Sequence, residues 1–370
     1  MTDWFAGKLA VVTGGGSGMG RELVRQLAAR GCSVATCDLY PDTAAATAAL
    51  AQDAAAGAGV LVTSHTCDVS DEAQVLRFRD ELLQAHAASH LDLVFSNAGI
   101  GGGESFVSGR RQDWERVFAT DWMGVYYCAR AFLPLLIAST EGVLVNTSSV
   151  NGLWASLGPG VPQTAYSTAK FAVRGFTEAL IEDLRTHAPH VRAAVVIPGH
   201  VGTDIIRNSL RARGLPDIEQ MTHAQLEELI PAGLRPDGAT PENLRTLLVN
   251  ASDGFRDNAP VSAAQAAGII LDGVQAGSWR ILIGDDARLI DTFVRAKPDA
   301  AYDYDQLAKM AAGTRMTDAP ATAADTATAD GLTTDAPTAD GLTADAPTAD
   351  GLRADAPTAD GPGGSVPVTS

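Results

Sequence analysis

The sequence predicts a single α/β domain built on a doubly wound, seven-stranded parallel sheet. Three observations carry this expectation. Short β-rich runs alternate with helix-length segments, and the runs are almost continuously apolar, as strands covered on both faces are. A third is the glycine-rich run Gly14-Gly15-Gly16-Ser17-Gly18-Met19-Gly20, which separates the first β-rich run from the first amphipathic segment.

The first strand is expected at Leu9–Thr13, read as Leu-Ala-Val-Val-Thr. The helix after the glycine turn runs to Arg30, because Met19, Leu23 and Leu27 recur at four-residue spacing and share one face. Ser33–Asp38, residues 60–65 and residues 91–97 supply strands two to four, and 142–148, 191–197 and Arg280–Ile283 the last three. The apolar run 131–137 suits a packed helix, and a long helix is expected over Thr164–His187. Residues 203–260 break the rhythm, being polar and punctuated by Gly214, Pro216, Pro231, Gly233, Pro236 and Pro241. Ligands of open parallel sheets bind beyond the carboxyl ends of the strands, so this insertion is the candidate substrate lid. It belongs to a catalytic domain expected over residues 1–290, with an extension at 291–316.

From Thr317 the composition collapses to Ala, Thr, Asp, Pro and Gly, with a ten-residue unit repeated as ADGLTTDAPT, ADGLTADAPT and ADGLRADAPT. One Leu per unit buries too little apolar surface to offset chain entropy, so residues 317–370 are expected to be a disordered acidic tail. The tail holds nine Asp against one Arg, about half of the formal net charge of −17. An acidic body with a more acidic tail is repelled by phosphate backbones and anionic lipid, which argues against nucleic-acid and membrane-surface partners. No run reaches the roughly 20 apolar residues of a bilayer span, and a strand begins near the N-terminus with no charged-then-apolar leader. A cytoplasmic protein is expected. Cys32, Cys37, Cys67 and Cys128 lack metal-ligand spacing and read as buried, reduced thiols, so no metal site is expected.

A glycine-rich turn between strand and helix lets backbone approach a pyrophosphate, whose charge meets the helix N-terminus. With Thr13-Gly14-x-x-x-Gly18-x-Gly20 stand Asp68-Val69, Asn97-Ala98-Gly99, Tyr166-x-x-x-Lys170 and Pro198-Gly199-His200-Val201-Gly202-Thr203. Together these motifs closely resemble the classical short-chain dehydrogenase/reductase family, over roughly residues 5–290, and imply its Rossmann-type sheet. Asp38 ends the second strand about 20 residues beyond the glycine turn, where a carboxylate accepts from ribose hydroxyls and repels a 2′-phosphate. Ser17 and Leu39 stand where NADP-preferring members commonly carry a basic residue, so NAD is the expected cofactor. The resemblance further implies that Gly14, Ser17, Gly18, Met19 and Gly20 cradle it and that Asp68 and Val69 flank the adenine. Asn97, Ala98 and Gly99 would line its middle, and Pro198, Gly199, Val201 and Thr203 its nicotinamide end, with Thr203 reaching the carboxamide. Any of these Asp and Asn positions is equally consistent with turn chemistry alone.

Tyr166 and Lys170 are four apart on the predicted long helix and so lie on one face. An ammonium beside a phenol favours the phenolate, which makes the pair a usable acid and base. The resemblance implies that Tyr166 exchanges a proton with a substrate oxygen and that Lys170 assists it and holds the nicotinamide ribose. Ser149, of Ser148-Ser149-Val150-Asn151-Gly152, would bond the same oxygen, leaving Ser148 to support backbone. Lys170 is one of four lysines in a chain that otherwise uses arginine. The sequence departs from the family pattern at Asp121, where an asparagine usually supports a proton path to the lysine. An aspartate keeps the acceptors and loses the amide donor, so it is expected either as a working substitute that still holds the water of that path or as a carboxylate that weakens the effect of Lys170 on Tyr166.

Leu153, Trp154, Leu157, Val161 and Pro162, between Ser149 and Tyr166, are expected either as an apolar wall for a medium to large secondary alcohol or ketone, or, for Trp154, packed under the lid. His200 reads as a turn residue. The resemblance implies a homodimer or homotetramer built on the helices carrying Asp121 and Tyr166. A non-catalytic NAD-binding regulator, or an epimerase or dehydratase with hidden redox, is the alternative reading.

Overall fold

The computed structural model describes residues 3–309 apart from 56–58, 103–104, 157, 159–160, 231–234 and 237. The acidic tail at 317–370, the extension beyond residue 309, and Leu157, Pro231 and Gly233 lie outside the described residues. All described residues fall within one compact unit, Met1–Ala319.

The sheet is the one expected. Strands β1 (Leu9–Thr13), β2 (Ser33–Asp38), β3 (Val62–Thr66), β4 (Leu93–Ser96), β5 (Gly142–Thr147), β6 (Val191–Pro198) and the last strand, Arg280–Ile283, form seven parallel strands. Their order is β3-β2-β1-β4-β5-β6 followed by that last strand, so the winding reverses between β1 and β4. A crevice opens there beyond the strand ends. Both faces are covered because neighbours along a strand point oppositely. Val12 and Val34 pack with Leu23 and Leu27 of α1 (Gly18–Ala29), whereas Val11 and Ala35 pack with Phe78 of α3 (Glu72–Ala85) and Phe132 of α5 (Gly124–Ile137). Helix α2 (Pro41–Ala54) joins β2 to β3, and α4 (Arg111–Phe118) precedes α5.

Strand limits differ from expectation by one or two residues in β3 to β6, and the starts of β3 and β4 have a physical cause. At β3 the side chain of Gln52 takes the ladder's place, its Nε2 donating to Val60 O and its Oε1 accepting from Val62 N, each at 2.9 Å. Before β4 the Leu91 amide bonds the Leu135 carbonyl at the end of α5 instead of a strand. The helix expected over Thr164–His187, α6, has those limits.

Residues 203–260 form α7 (Ile205–Ala212), α8 (His223–Leu229) and α9 (Pro241–Asp257). They enclose a small core of Leu210, Ile218, Met221, Leu226 and Leu244. Helix α9 returns the chain so that β7 (Val201–Gly202) pairs in parallel with β8 (Val261–Ser262), ahead of α10 (Ala263–Gln275) and of the last sheet strand, β9 (Arg280–Ile283). Two-residue strands leave no periodicity to read, which is why this pairing was absent from the sequence expectations.

Trp154 is buried, though under neither the lid nor an exposed substrate wall. Beyond α11 (Asp285–Ala296) the chain crosses it: the indole Nε1 donates to Ala301 O at 2.6 Å, and the Tyr302 ring stacks on it with centroids 6.2 Å apart. The Tyr304 and Ser156 hydroxyls bond at 2.8 Å. The extension thus straps the segment that follows Ser149. Trp154→Phe keeps an aromatic ring but deletes the donor together with the pyrrole part of a buried indole, so urea unfolding should register a loss of at least about 1 kcal/mol. An unchanged midpoint would show that the strap does not rest on this bond.

Candidate active site

The glycine turn is shaped by close approach. Thr13 Oγ1 accepts from the amides of Asn97 at 3.0 Å and Ala98 at 3.1 Å, tying the ends of β1 and β4 together. Gly14 has φ +68°, and a Cβ there would stand 2.8 Å from Ala98 Cα. Gly20 packs so tightly that a Cβ would meet the Gly14 carbonyl and come within 2.7 Å of Asn97 Nδ2. Ser17 is the N-cap of α1, yet its side chain bonds no helix amide and instead accepts from Asn208 Nδ2 at 3.0 Å. The first amides of α1 therefore have no side-chain cap, the arrangement that suits an anion.

Gly14, Ser17, Gly18 and Met19 line one side of the cleft at the switch point. Asp38, Asp68 and Val69 line one end, and Asn97, Ala98, Gly99 and Thr203 also face it. The carboxylate of Asp38 accepts from Gly16 N at 2.9 Å and Tyr40 N at 3.1 Å. Burial raises the Asp68 carboxyl, but bonds from Ser70 and from Arg116, at 2.8 Å, outweigh it and hold the group below the usual range. Asn97 Oδ1 is buried without a hydrogen-bond partner. Uncapped helix amides, a cradle that a Cβ would fill and an orphaned buried acceptor together fit a dinucleotide.

Gly20, Pro198, Gly199 and Val201 do not line the cleft. Gly199 sits where a Cβ would strike the Asp286 carboxylate, whose Oδ2 accepts from His200 N at 2.6 Å, and Val201 is buried core. The His200 ring pairs with Phe255 O at 2.7 Å, which makes it structural. Sequence reading missed Tyr40, Ile205, Asn208 and Arg211, all of which line the cleft. The three residues from α7 stand at three-residue spacing immediately after Thr203, a helical-face signal open to reading.

The second cluster adjoins this cleft. Tyr166 and Lys170 stand one turn apart on α6, with the Lys170 ammonium 5.5 Å from the Tyr166 ring centroid. Lys170 Nζ donates to Thr147 O at 3.1 Å, and a Cβ on Gly99 would stand 3.2 Å from it, so the ammonium reaches the cleft wall. The Ser149 side chain faces the Tyr166 phenol and acts to lower its pKa. Ser148 Oγ donates to Lys170 O at 2.8 Å and supports backbone, as expected.

Asp121 lies in a π-helical turn, Ala119–Met123, between α4 and α5. Such a turn re-aims side chains within a helix. Its Oδ1 accepts from Ile100 N at 2.8 Å, and its Oδ2 is 3.2 Å from Lys170 Nζ. Both side chains are buried. Burial raises the Asp121 carboxyl above the usual range, against the pull of Lys170. Burial works to lower Lys170, yet Asp121 and Tyr166 together carry it above the ordinary lysine value. Tyr166 is raised, first by burial and then by Asp121, against the opposing effects of Lys170 and Ser149. The lysine alone was expected to favour the phenolate; burial and the aspartate outweigh it here.

All four cysteines are free and buried. Among the described residues no helix is long and apolar enough to cross a membrane, and no cluster of His, Cys, Asp or Glu is placed to hold a metal ion.

The sequence profile of the short chain dehydrogenases matches residues 8–214, more than half of the chain. The chain belongs to that family. An oxidoreductase named SadH from Mycobacterium tuberculosis is 34% identical over 291 residues, covering 79% of this chain and 91% of that protein. The (3R)-3-hydroxyacyl-CoA dehydrogenase of Mus musculus is 28% identical over 260 residues, 69% of this chain and 94% of its own length. Among solved structures, a short chain dehydrogenase/reductase from Burkholderia phymatum in complex with NAD superposes with a TM-score of 0.62 at 27% identity, over 80% of this chain and 97% of that one. The protein is therefore an oxidoreductase of this family, a family that uses a nicotinamide cofactor.

Proposed function

We propose that this protein is an NAD-dependent oxidoreductase that interconverts a secondary alcohol and its ketone. The observation carrying the reading is that Tyr166 and Lys170 stand one turn apart on α6 with Ser149 beside the phenol, and that the Lys170 ammonium reaches Gly99 on the wall of the cleft. When bound, NAD supplies the hydride acceptor. Gly14, Ser17, Gly18 and Met19 would seat its diphosphate, and Asp38 would accept from the adenosine ribose and repel a 2′-phosphate. Tyr166 Oη takes the proton from the alcohol oxygen in oxidation and returns it in reduction, with Ser149 Oγ bonding the same oxygen. Lys170 holds the ribose and stabilises the phenolate, while Asp121 keeps Lys170 charged and in place.

An apolar substrate of medium to large size fits the surroundings of Tyr166, which packs, as Trp114 and Ala212 do, against the cluster of Ile100, Val117 and Ala165. The relative named for 3-hydroxyacyl-CoA accords with a secondary alcohol. The partly exposed rings of Tyr126 on α5 and Phe171 on α6 support a homodimer or homotetramer joined through these helices, in a cytoplasmic protein. The insertion at residues 203–260 would serve as the lid of a catalytic domain, whose expected limit at residue 290 falls inside α11.

The test follows NADH formation with NAD or NADP against a panel of apolar secondary alcohols. NADH formation with at least one alcohol, and a preference for NAD, is the expected result. Dinucleotide binding with no turnover across the panel would overturn the alcohol dehydrogenase reading, and preference for NADP would overturn the role of Asp38.

A further inference from the structure

Helix α7 reaches both walls of the cofactor cleft. Asn208 donates to Ser17 in the glycine turn, and Ser209 Oγ accepts from Gly101 N at 2.7 Å beyond β4. The third contact is of a different kind. The Arg211 guanidinium lies 3.6 Å from the centroid of the Tyr40 ring, two residues beyond Asp38.

Arg211 stands apart from its neighbours on the same helix. Arg207 pairs with Glu219 and Asp253, and just past the helix Arg213 pairs with Asp113. The chain is strongly acidic, with 44 Asp and Glu, yet among the described residues Arg211 has no carboxylate partner. It rests instead on an aromatic ring at the cleft end bordered by Asp38 and Asp68. The other guanidinium at that end, Arg116, is spent on Asp68 and Ser70. A planar cation with five donors, held by stacking alone, is free to exchange the ring for a phosphate or a purine face.

We propose that Arg211 is a cofactor-binding residue, carried by α7 over the adenosine half of the dinucleotide. The proposal rests on the nicotinamide-cofactor reading above. Asp38 fixes the ribose from the sheet side and Arg211 covers the same half from the lid side, while the nicotinamide half is left to Thr203, Tyr166 and Lys170. Because the contact is with the adenosine half, its loss should be felt by any ligand that contains adenosine diphosphate and by no ligand that lacks it.

The experiment measures dissociation constants by fluorescence or calorimetry for wild type, Arg211→Ala and Arg211→Lys. The probes are NADH, ADP-ribose, and reduced nicotinamide mononucleotide, which lacks the adenosine half. Arg211→Ala should weaken NADH and ADP-ribose by about tenfold, the scale of one charge-assisted contact. Arg211→Lys should recover part of the loss, and the mononucleotide should bind wild type and both variants alike. Equal NADH affinity in wild type and Arg211→Ala overturns the proposal and leaves the oxidoreductase reading standing. Loss of mononucleotide affinity to the same degree overturns it too, because the effect is then not confined to the adenosine half. Failure of the wild type to bind NADH or ADP-ribose removes the cofactor reading itself, and the proposal with it.

Discussion

Tyr166→Phe is expected to lower kcat/KM for alcohol oxidation by about 10³-fold while leaving NADH affinity unchanged. The substitution removes only the phenol oxygen, and the ring keeps its apolar neighbours Ile100, Val117 and Ala165. No other described group is arranged to replace it. Ser149 is a neutral hydroxyl that already accepts from Asn151 N, and Lys170 is carried above its ordinary value and stays protonated through the working range. Loss of a positioned proton acceptor costs about 10²–10⁴-fold, and a group with no stand-in belongs well inside that range. The decisive measurement is a pair: steady-state kinetics and an NADH titration on the same variant. Retained turnover would move the proton to another residue. A parallel loss of NADH affinity would mean that the phenol serves the cofactor site and not the substrate oxygen.

The parts of this site that were legible in the sequence are those whose geometry is local. Tyr166 and Lys170 needed only a helix to share a face, and α6 was readable from end to end because it is long and uninterrupted. Gly14, Gly18 and Gly20 were legible because strand, turn and helix follow one another directly. The tension at Asp121 was legible as chemistry, since a carboxylate near a lysine must alter it, but the π turn that aims it at Lys170 leaves no mark on hydrophobic period. Contacts closed by the tertiary fold were not legible at all. Trp154 and Ala301 are separated by 147 positions, and nothing in the composition of either segment selects the other. Arg211 on Tyr40 belongs to the same class: one lies in a polar insertion and the other in a βα turn, and they meet only because α9 returns the chain and α7 is left folded over the cleft.

The buried pair of Asp121 and Lys170 carries the other large effect, and it divides into a charge part and a shape part. Asp121→Leu removes the carboxylate from an ammonium that is itself buried, leaving one charge with only Thr147 O as a partner and the Ile100 amide with none. Stranding a buried charge in this way costs about 3–5 kcal/mol, so the urea midpoint should fall steeply. Asp121→Asn keeps the shape and an acceptor for Ile100 but still removes the counter-charge of Lys170, so stability should fall by less than in Asp121→Leu, and turnover should stay within about tenfold of wild type. Its signature is in pH. Asp121 raises Tyr166, so neutralising it lets the phenolate form at lower pH, and the rising limb of kcat/KM for alcohol oxidation should move toward acid. The same change lowers Lys170, because Asp121 is the leading influence holding that ammonium up against burial. The two shifts oppose each other at Tyr166 only if Lys170 loses its proton. An acid shift therefore shows that the lysine stays charged without its partner and that Asp121 tempers Tyr166. An alkaline shift, or none, would overturn that assignment and show that the aspartate is needed to keep Lys170 an ammonium at all.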